Sequence, residues 1–392
     1  MREPSFRHIC YNNFVMADRN NQINETDTVI VGAGISGIVL ARLLAEKNQN
    51  VLIIDKRHHI GGNCYDYRDI NGINIHKYGP HIFRTDNEEV WEFLSRFTAW
   101  HEYKHKVRAI INGKEVPIPF NFTSVDILFE KTKSEILKEK LTAKYGKDKK
   151  VPILKLKQSD DKDLQTLADF IYEKVFYHYT LKQWGLKPEE LGGDALSRVP
   201  VYTSYYDGYF TEKYQAIPRH GYTKMFENIL NHPNIKIKLN TDFKDIKNIK
   251  YKYLFYSGSI DEFFNYKIGA LPYRSLNFEF RTLPQKQFQS VAVVNYTGQE
   301  HYTRITEFKH FLSQKTEQTT VAYEHPAAFE LGKNERYYPI PKQENEQLYK
   351  QYLKIADKEK NIYFIGRLGE YKYYSMQSAV AAIFDLVKKF TT

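Results

Sequence analysis

Residues 27–57 read DTVIVGAGISGIVLARLLAEKNQNVLIIDKR. Val29, Ile30 and Val31, after Thr28, are apolar and β-branched, as a buried strand requires. Gly32-Ala33-Gly34-Ile35-Ser36-Gly37 turns straight into a helical run that begins at Ile38 and ends near Lys47. A second apolar strand, 51–54, finishes on Asp55. Strand, G-x-G-x-x-G turn, helix, strand and acid together are the fingerprint of a dinucleotide site. Gly32 permits the tight turn, Gly34 lets a pyrophosphate approach the backbone, and Gly37 lets helix and strand pack closely. The helix start, with Ser36 in its first turn, offers free N–H groups and partial positive charge to the anion. Asp55 is placed to accept hydrogen bonds from a ribose hydroxyl, with Lys56 beside it. The fold class this predicts is α/β, with a Rossmann-type domain at its head.

The chain has 392 residues, enough for two or three domains, and its 42% apolar and 15% aromatic content exclude a disordered protein. No run approaches the roughly 18 apolar residues of a membrane-spanning helix. A formal charge of +10 raises the question of nucleic acid, but the lysines are scattered among Asn, Ile and Tyr. No basic helix stands out, so a solvated surface or anionic small ligands account for the charge. Cys10 and Cys64 have no metal-like spacing and fit a reducing cytoplasm; no metal site is expected. Residues 1–27 are polar and Asn-rich without an apolar signal core, which predicts a disordered leader; Met16 is a plausible initiator.

Behind the ribose acid stands a second glycine pair, in Lys56-Arg57-His58-His59-Ile60-Gly61-Gly62-Asn63. The segment resembles the flavoprotein pattern, in which this loop runs beneath FAD, and it adds Gly62 and Asn63 to the cofactor residues. His76-Lys77-Tyr78-Gly79-Pro80-His81-Ile82-Phe83-Arg84-Thr85 follows, then Pro117-Ile118-Pro119-Phe120-Asn121 and Tyr179-Thr180-Leu181-Lys182-Gln183-Trp184-Gly185. Later come Arg198-Val199-Pro200, Tyr273-Arg274-Ser275-Leu276, Tyr337-Tyr338-Pro339, Gly366-Arg367 and Glu370-Tyr371-Lys372-Tyr373-Tyr374. In this order the motifs resemble those of the bacterial UDP-galactopyranose mutase family, from about residue 28 to the C-terminus.

That resemblance implies a three-part architecture. FAD binding is expected in 28–87, with about 205–265 and 340–392. A mainly helical domain is expected in 88–190, with helices at 88–97, 124–145 and 163–179 and a hairpin at 107–118 across Asn112-Gly113. An antiparallel-sheet substrate domain would take 191–204 and 266–339. The implied reaction interconverts UDP-galactopyranose and UDP-galactofuranose, supplying furanose for cell-surface glycans. The reduced flavin acts in it as the nucleophile, through an adduct of its N5 with the sugar. Such a cytoplasmic isomerase would be a homodimer, reduced by NAD(P)H or a flavin reductase, without stable membrane insertion.

The resemblance also assigns residues. Arg198, on a mobile loop, and Arg274 would grip the diphosphate, and His81 would lie against the flavin. Tyr179, Trp184, Tyr209, Tyr338 and Tyr373 would hold the nucleotide sugar, while Gly366, Arg367 and Met376 would complete the cofactor site. Phenols and guanidiniums suit a nucleoside diphosphate, because arginine binds phosphate through parallel N–H bonds and tyrosine adds neutral donors. The chain departs from the family at two substrate-side positions, where Arg84 replaces a histidine and Ser375 an aspartate. A shifted sugar is therefore an alternative, either UDP-N-acetylgalactosamine or a 6-deoxy sugar. A flavin-dependent amine-oxidase-like oxidoreductase and a non-catalytic nucleotide-sugar binder are more distant alternatives.

Overall fold

In a computed structural model of the chain, describing residues 25–190, 200–246 and 249–390, the fingerprint folds as its pattern dictates. Strand β1 (Glu25–Val31), helix α1 (Ile35–Ala45) and strand β2 (Val51–Ile54) follow one another directly. They sit in a five-stranded, all-parallel sheet whose order is Ile235–Lys238, β2, β1, Lys250–Tyr256, Ile362–Phe364. Val29, Ile30, Val51, Leu52, Ile53 and Ile54 are buried on both faces, as a sheet covered on two sides demands. α1 buries Ile38, Val39, Leu40, Ala41 and Leu44 against the helices Tyr222–Leu230 and Met376–Phe390. Truncating a fully buried side chain such as Leu40 to alanine costs about 2–5 kcal/mol. β1 starts within the expected leader: Thr28 and Asp27 donate backbone N–H groups to the Asn50 carbonyl, and Thr26 donates its hydroxyl there. Residues 1–24 lie outside the described residues.

A seven-stranded sheet forms the second layer, in the order Tyr338–Pro339, Tyr273–Leu283, Thr319–Ala328, Arg304–Glu307, Val293–Tyr296, Val107–Ile111, Lys114–Ile118. The hairpin at 107–118 thus joins this sheet. It does so by a parallel pairing of Val107–Ile111 with Val293–Tyr296, so the sheet is mixed and not wholly antiparallel. Pro200–Tyr202, expected in the same sheet, pairs instead with Lys150–Pro152 beside the helices.

The helical stretch 124–145 is two helices, Phe122–Leu128 and Lys131–Tyr145. The break has a cause: Phe129 and Glu130 adopt extended backbone, and Phe129 packs edge-on against Phe170 with ring centroids 5.3 Å apart. The stretch 163–179 divides into Lys162–Ile171, a π-helical turn Tyr172–Tyr177, and His178–Trp184. π-turns widen a helix locally and are frequent at functional sites. Among the described residues no helix is long and apolar enough to cross a membrane.

Candidate active site

The Gly-rich turn is tightened by the chain's own groups. Asp55 accepts the Ala33 N–H at 2.7 Å and the Arg57 N–H at 2.8 Å, which pins the turn against the end of β2. Burial pushes the Asp55 carboxyl above its ordinary value, although both N–H bonds oppose the rise. Gly32 has φ +106°, and a Cβ there would lie 1.9 Å from Ser257 Oγ. A Cβ on Gly37 would lie 2.1 Å from the Gly32 carbonyl oxygen. Neither position admits a side chain.

The second glycine pair packs on the first. Gly61 donates its N–H to the Ala33 carbonyl, and a Cβ on Gly62 would sit 2.9 Å from Gly34 Cα. Asn63 accepts from Arg57, whose guanidinium lies 4.5 Å from the centre of the Tyr78 ring and pairs with Glu335. Gly366, at φ +72°, comes so close to the start of α1 that a Cβ would be 3.2 Å from Ser36 Oγ. Gly32, Gly34, Ser36, Gly37, Asp55, Lys56, Gly62, Asn63, Gly366 and Met376 all line one cavity. Around Gly34 a Cβ would meet only Gly62 Cα, at 3.9 Å. That open backbone beside a helix N-terminus is the space a dinucleotide pyrophosphate requires, so these residues fit FAD.

The same cavity, about 1850 Å³, continues past His81 into the second sheet. Its floor is a row of directly opposed residues on neighbouring strands: Ala109, Asn295, Arg304 and Glu324. Arg304 donates two hydrogen bonds to the Glu324 carboxylate, from Nε at 2.9 Å and Nη2 at 2.8 Å. Burial opposes the guanidinium's charge most strongly of any one influence, but Glu324 beside it, together with Tyr179 and Tyr338, raises Arg304 well above its usual value. Tyr179 and Tyr209 stand near this pair; burial pushes the Tyr179 phenol up to about 12 and raises Tyr209 also. Burial raises Tyr338 too. These phenols remain protonated donors at neutral pH.

Tyr338 and Tyr373 stack with centroids 5.7 Å apart, and Trp184 lies 6.0 Å from Tyr338. Arg367 sits 5.1 Å from both tyrosine rings and donates to the Tyr337 carbonyl at 3.1 Å and the Tyr374 carbonyl at 2.7 Å. It therefore fixes the two strands of chain that carry the tyrosine pair, while also lining the cavity.

His81 donates from Nδ1 to the Gly79 carbonyl at 2.8 Å, which leaves Nε2 without hydrogen as an acceptor. Its backbone N–H goes to His76 Nδ1 at 3.0 Å. Burial pushes His76, His81 and His105 down to about 3 each, so all three rings are neutral near pH 7. Their ordinary value lies near 6.5, so the unfolded chain binds these protons first as pH falls. The stability they contribute is complete above about pH 6.5 and is lost progressively toward pH 3, by at most about 1.4 kcal/mol per pH unit for each ring. Denaturant titrations at pH 7 and pH 5 should show this loss. A flat profile would mean that the rings take up protons in place.

Several expected residues are placed otherwise. Arg274 does not line the cavity. Its Nε and Nη2 donate to the carbonyls of Gln183 and Lys182, capping the C-terminal end of helix His178–Trp184, whose last carbonyls have no partner within the helix. Arg84 lines the cavity but is ion-paired with Glu212 and lies 4.0 Å from the centre of the Phe210 ring. Ser375 lines it too and caps the last helix, accepting the Ser378 N–H at 3.2 Å. Arg198 lies outside the described residues. Arg304, Glu324 and His105 were not anticipated. The available signal was a lone glutamate sharing a strand face with buried Ala322 and Thr320 in Thr319–Ala328. Among the described residues no group of three or more His, Cys, Asp or Glu side chains is arranged to hold a metal ion.

Comparison with known proteins points to one family. The family described as GLF, UDP-galactopyranose mutase, matches residues 174–373, and an NAD(P)-binding Rossmann-like domain matches residues 30–97. A probable UDP-galactopyranose mutase of Klebsiella pneumoniae is 40% identical over 94% of this chain and 95% of its own. A dTDP-fucopyranose mutase of Escherichia coli is 38% identical over 90% of this chain and 95% of its own. The crystal structure of a reduced UDP-galactopyranose mutase superposes with a TM-score of 0.69 at 15% identity, covering 94% of this chain and 95% of that one. With this fold, this cradle and similarity along nearly its whole length, the chain belongs to the UDP-galactopyranose mutase family.

Proposed function

We propose that this FAD-dependent isomerase interconverts UDP-galactopyranose and UDP-galactofuranose. One observation carries the reading: a single cavity runs unbroken from the dinucleotide cradle to the Arg304–Glu324 pair and the stacked tyrosines. Flavin and nucleotide sugar would share it. The reduced flavin, when bound, supplies the nucleophile for the anomeric carbon. The one lining thiol among the described residues, Cys64, is a poor nucleophile: burial pushes it up to about 12, so no thiolate forms at neutral pH.

The residues' task is to orient and to hold charge. Glu324 fixes the Arg304 guanidinium in one plane, so that its remaining edge is preorganised toward the diphosphate as negative charge develops on it. The protonated tyrosines donate neutral hydrogen bonds there without adding charge. His81, neutral and with Nε2 bare, accepts a hydrogen bond from a donor in the cavity. Arg198 is assigned by resemblance to close on the diphosphate from the mobile side. The homodimer, the cytoplasmic location and reduction by NAD(P)H or a flavin reductase rest on resemblance alone. A monomer in sedimentation at micromolar concentration would remove the first. Reduced protein supplied with UDP-galactofuranose should return UDP-galactopyranose; absence of that product on chromatography would refute the assignment.

Ser375 favours a second reading, a 6-deoxy sugar carried on dTDP or UDP. Aspartate would cap the last helix as well as serine does, so capping does not explain the exchange. What the exchange removes is a carboxylate from the cavity wall. A carboxylate facing a 6-deoxy carbon would lose its hydroxyl donor, at about 1–3 kcal/mol. Ser375→Asp should therefore lower turnover of a dTDP-linked 6-deoxy sugar about ten- to a hundred-fold relative to UDP-galactose. Arg84 is already paired with Glu212, so Arg84→His should shift the ratio for UDP-N-acetylgalactosamine less. If neither variant alters any ratio, both exchanges are drift.

A further inference from the structure

The loop 329–336 leaves the seven-stranded sheet after Thr319–Ala328 and returns to it at Tyr338–Pro339. Its residues 331–336 line the same cavity as Asp55, Lys56 and Arg57, so the loop and the ribose acid face one space. The base of the loop is fixed. Arg336 is buried, pairs with Glu262 at 2.8 Å and donates to the Tyr266 hydroxyl at 3.0 Å. Its guanidinium lies 4.4 Å from the centre of the Phe329 ring, which ties the two ends of the loop together, and Phe329 donates its N–H to the Tyr273 carbonyl. The tip closes on itself: the Asn334 side chain accepts the Glu330 N–H at 2.8 Å and donates to the Ala328 carbonyl at 2.9 Å. That tip stands in solvent. Glu330, Leu331, Gly332 and Lys333 are exposed, and among the described residues no atom lies within 4 Å of a Cβ added to Gly332.

Glu335 ties the tip to the cofactor cradle. Its carboxylate pairs at 2.9 Å with Arg57, which also donates its side chain to Asn63 and its backbone N–H to Asp55. Burial would raise the Glu335 carboxyl, but Arg57 beside it holds it below its ordinary value, so the pair is ionised at neutral pH. A fixed base, a self-closed tip with little buried surface and a part-exposed ion pair across the cavity are the parts of a lid. We propose that the loop 329–336 is the lid through which FAD enters and leaves, latched over the adenosine half of the cofactor by the Arg57–Glu335 pair. With the latch broken, the tip swings about Phe329 and Arg336 and uncovers the ribose acid. The inference rests on FAD occupying the Gly-rich cradle and adds to it the device that governs cofactor exchange.

Glu335→Gln tests this, because it keeps the size of the side chain and removes its charge. Release is followed by exchange of bound FAD for the spectrally distinct 8-chloro-FAD, and uptake by the quenching of flavin fluorescence when FAD is added to apoprotein. The same opening precedes both events, so both rate constants should rise about two- to five-fold, the worth of a part-exposed ion pair, with little change in Kd. A wall residue that merely touches the cofactor would raise the release rate alone. Trypsin gives a second readout: the bond after Lys333 should be cut faster in apoprotein than in holoenzyme, and faster in the Glu335→Gln holoenzyme than in the wild type. Faster release with unchanged uptake, or unchanged rates with equal cutting in every form, would overturn the lid and make the loop a static wall. Wild-type apoprotein that takes up no flavin would instead overturn the cofactor reading, a separate and distinguishable failure.

Discussion

Replacing Gly34 with valine should give a folded protein that holds no flavin. Gly34 has φ −80°, a conformation any residue adopts, and a Cβ there finds only Gly62 Cα, at 3.9 Å. The protein itself therefore tolerates the side chain. The isopropyl group would instead fill the space before the first N–H groups of α1, where the pyrophosphate must lie against bare backbone. Far-UV circular dichroism and the unfolding midpoint should stay close to wild type, while the flavin absorption band disappears and added FAD fails to restore turnover. Gly37→Ala makes the contrast, because its Cβ would collide with the Gly32 carbonyl oxygen and the loss there should appear in folding. A Gly34→Val protein that purifies yellow would show that the pyrophosphate lies elsewhere.

Arg304→Ala should carry the second largest loss. It removes a cation from the floor of the cavity and leaves the Glu324 carboxylate, 2% exposed, without its partner. Breaking a buried pair by removing one member costs about 3–5 kcal/mol, and kcat/KM of the reduced enzyme should fall by about 10²- to 10³-fold. Arg304→Lys should recover little, since lysine cannot reproduce the two parallel bonds to Glu324. Arg304→Met combined with Glu324→Gln should recover stability without turnover, which separates the structural cost from the chemical one. Steady-state kinetics on stable protein decide the matter: a near-normal kcat/KM for Arg304→Ala would remove this pair from the site.

The cofactor half of the molecule was legible because its signals are local. Alternating glycines, β-branched runs and the acid that ends β2 each act on neighbours a few residues away. The structure adds only that Asp55 also pins the turn through Ala33. The substrate half depends on strand register, which local patterns do not carry. Arg304 and Glu324 stand 20 residues apart, and only the antiparallel pairing of their strands sets them opposite one another. Arg274 shows the other difficulty. Its motif was readable, but the direction of its guanidinium is decided by the orphan carbonyls of a helix more than 80 residues earlier, since the partner Gln183 lies 91 positions away. The hairpin at 107–118 joined the mixed sheet for a similar reason, through a parallel neighbour, Val293–Tyr296, that no short loop could bring alongside.

The account stands most directly on one comparison: turnover of UDP-galactose and of a dTDP-linked 6-deoxy sugar by the same preparation, first oxidised and then reduced with dithionite under anaerobic conditions. It predicts pyranose-to-furanose conversion of at least one nucleotide sugar by the reduced protein, little or none by the oxidised protein, and no net consumption of reductant per turnover. Equal rates in the two states, or stoichiometric oxidation of the flavin by the sugar, would contradict it.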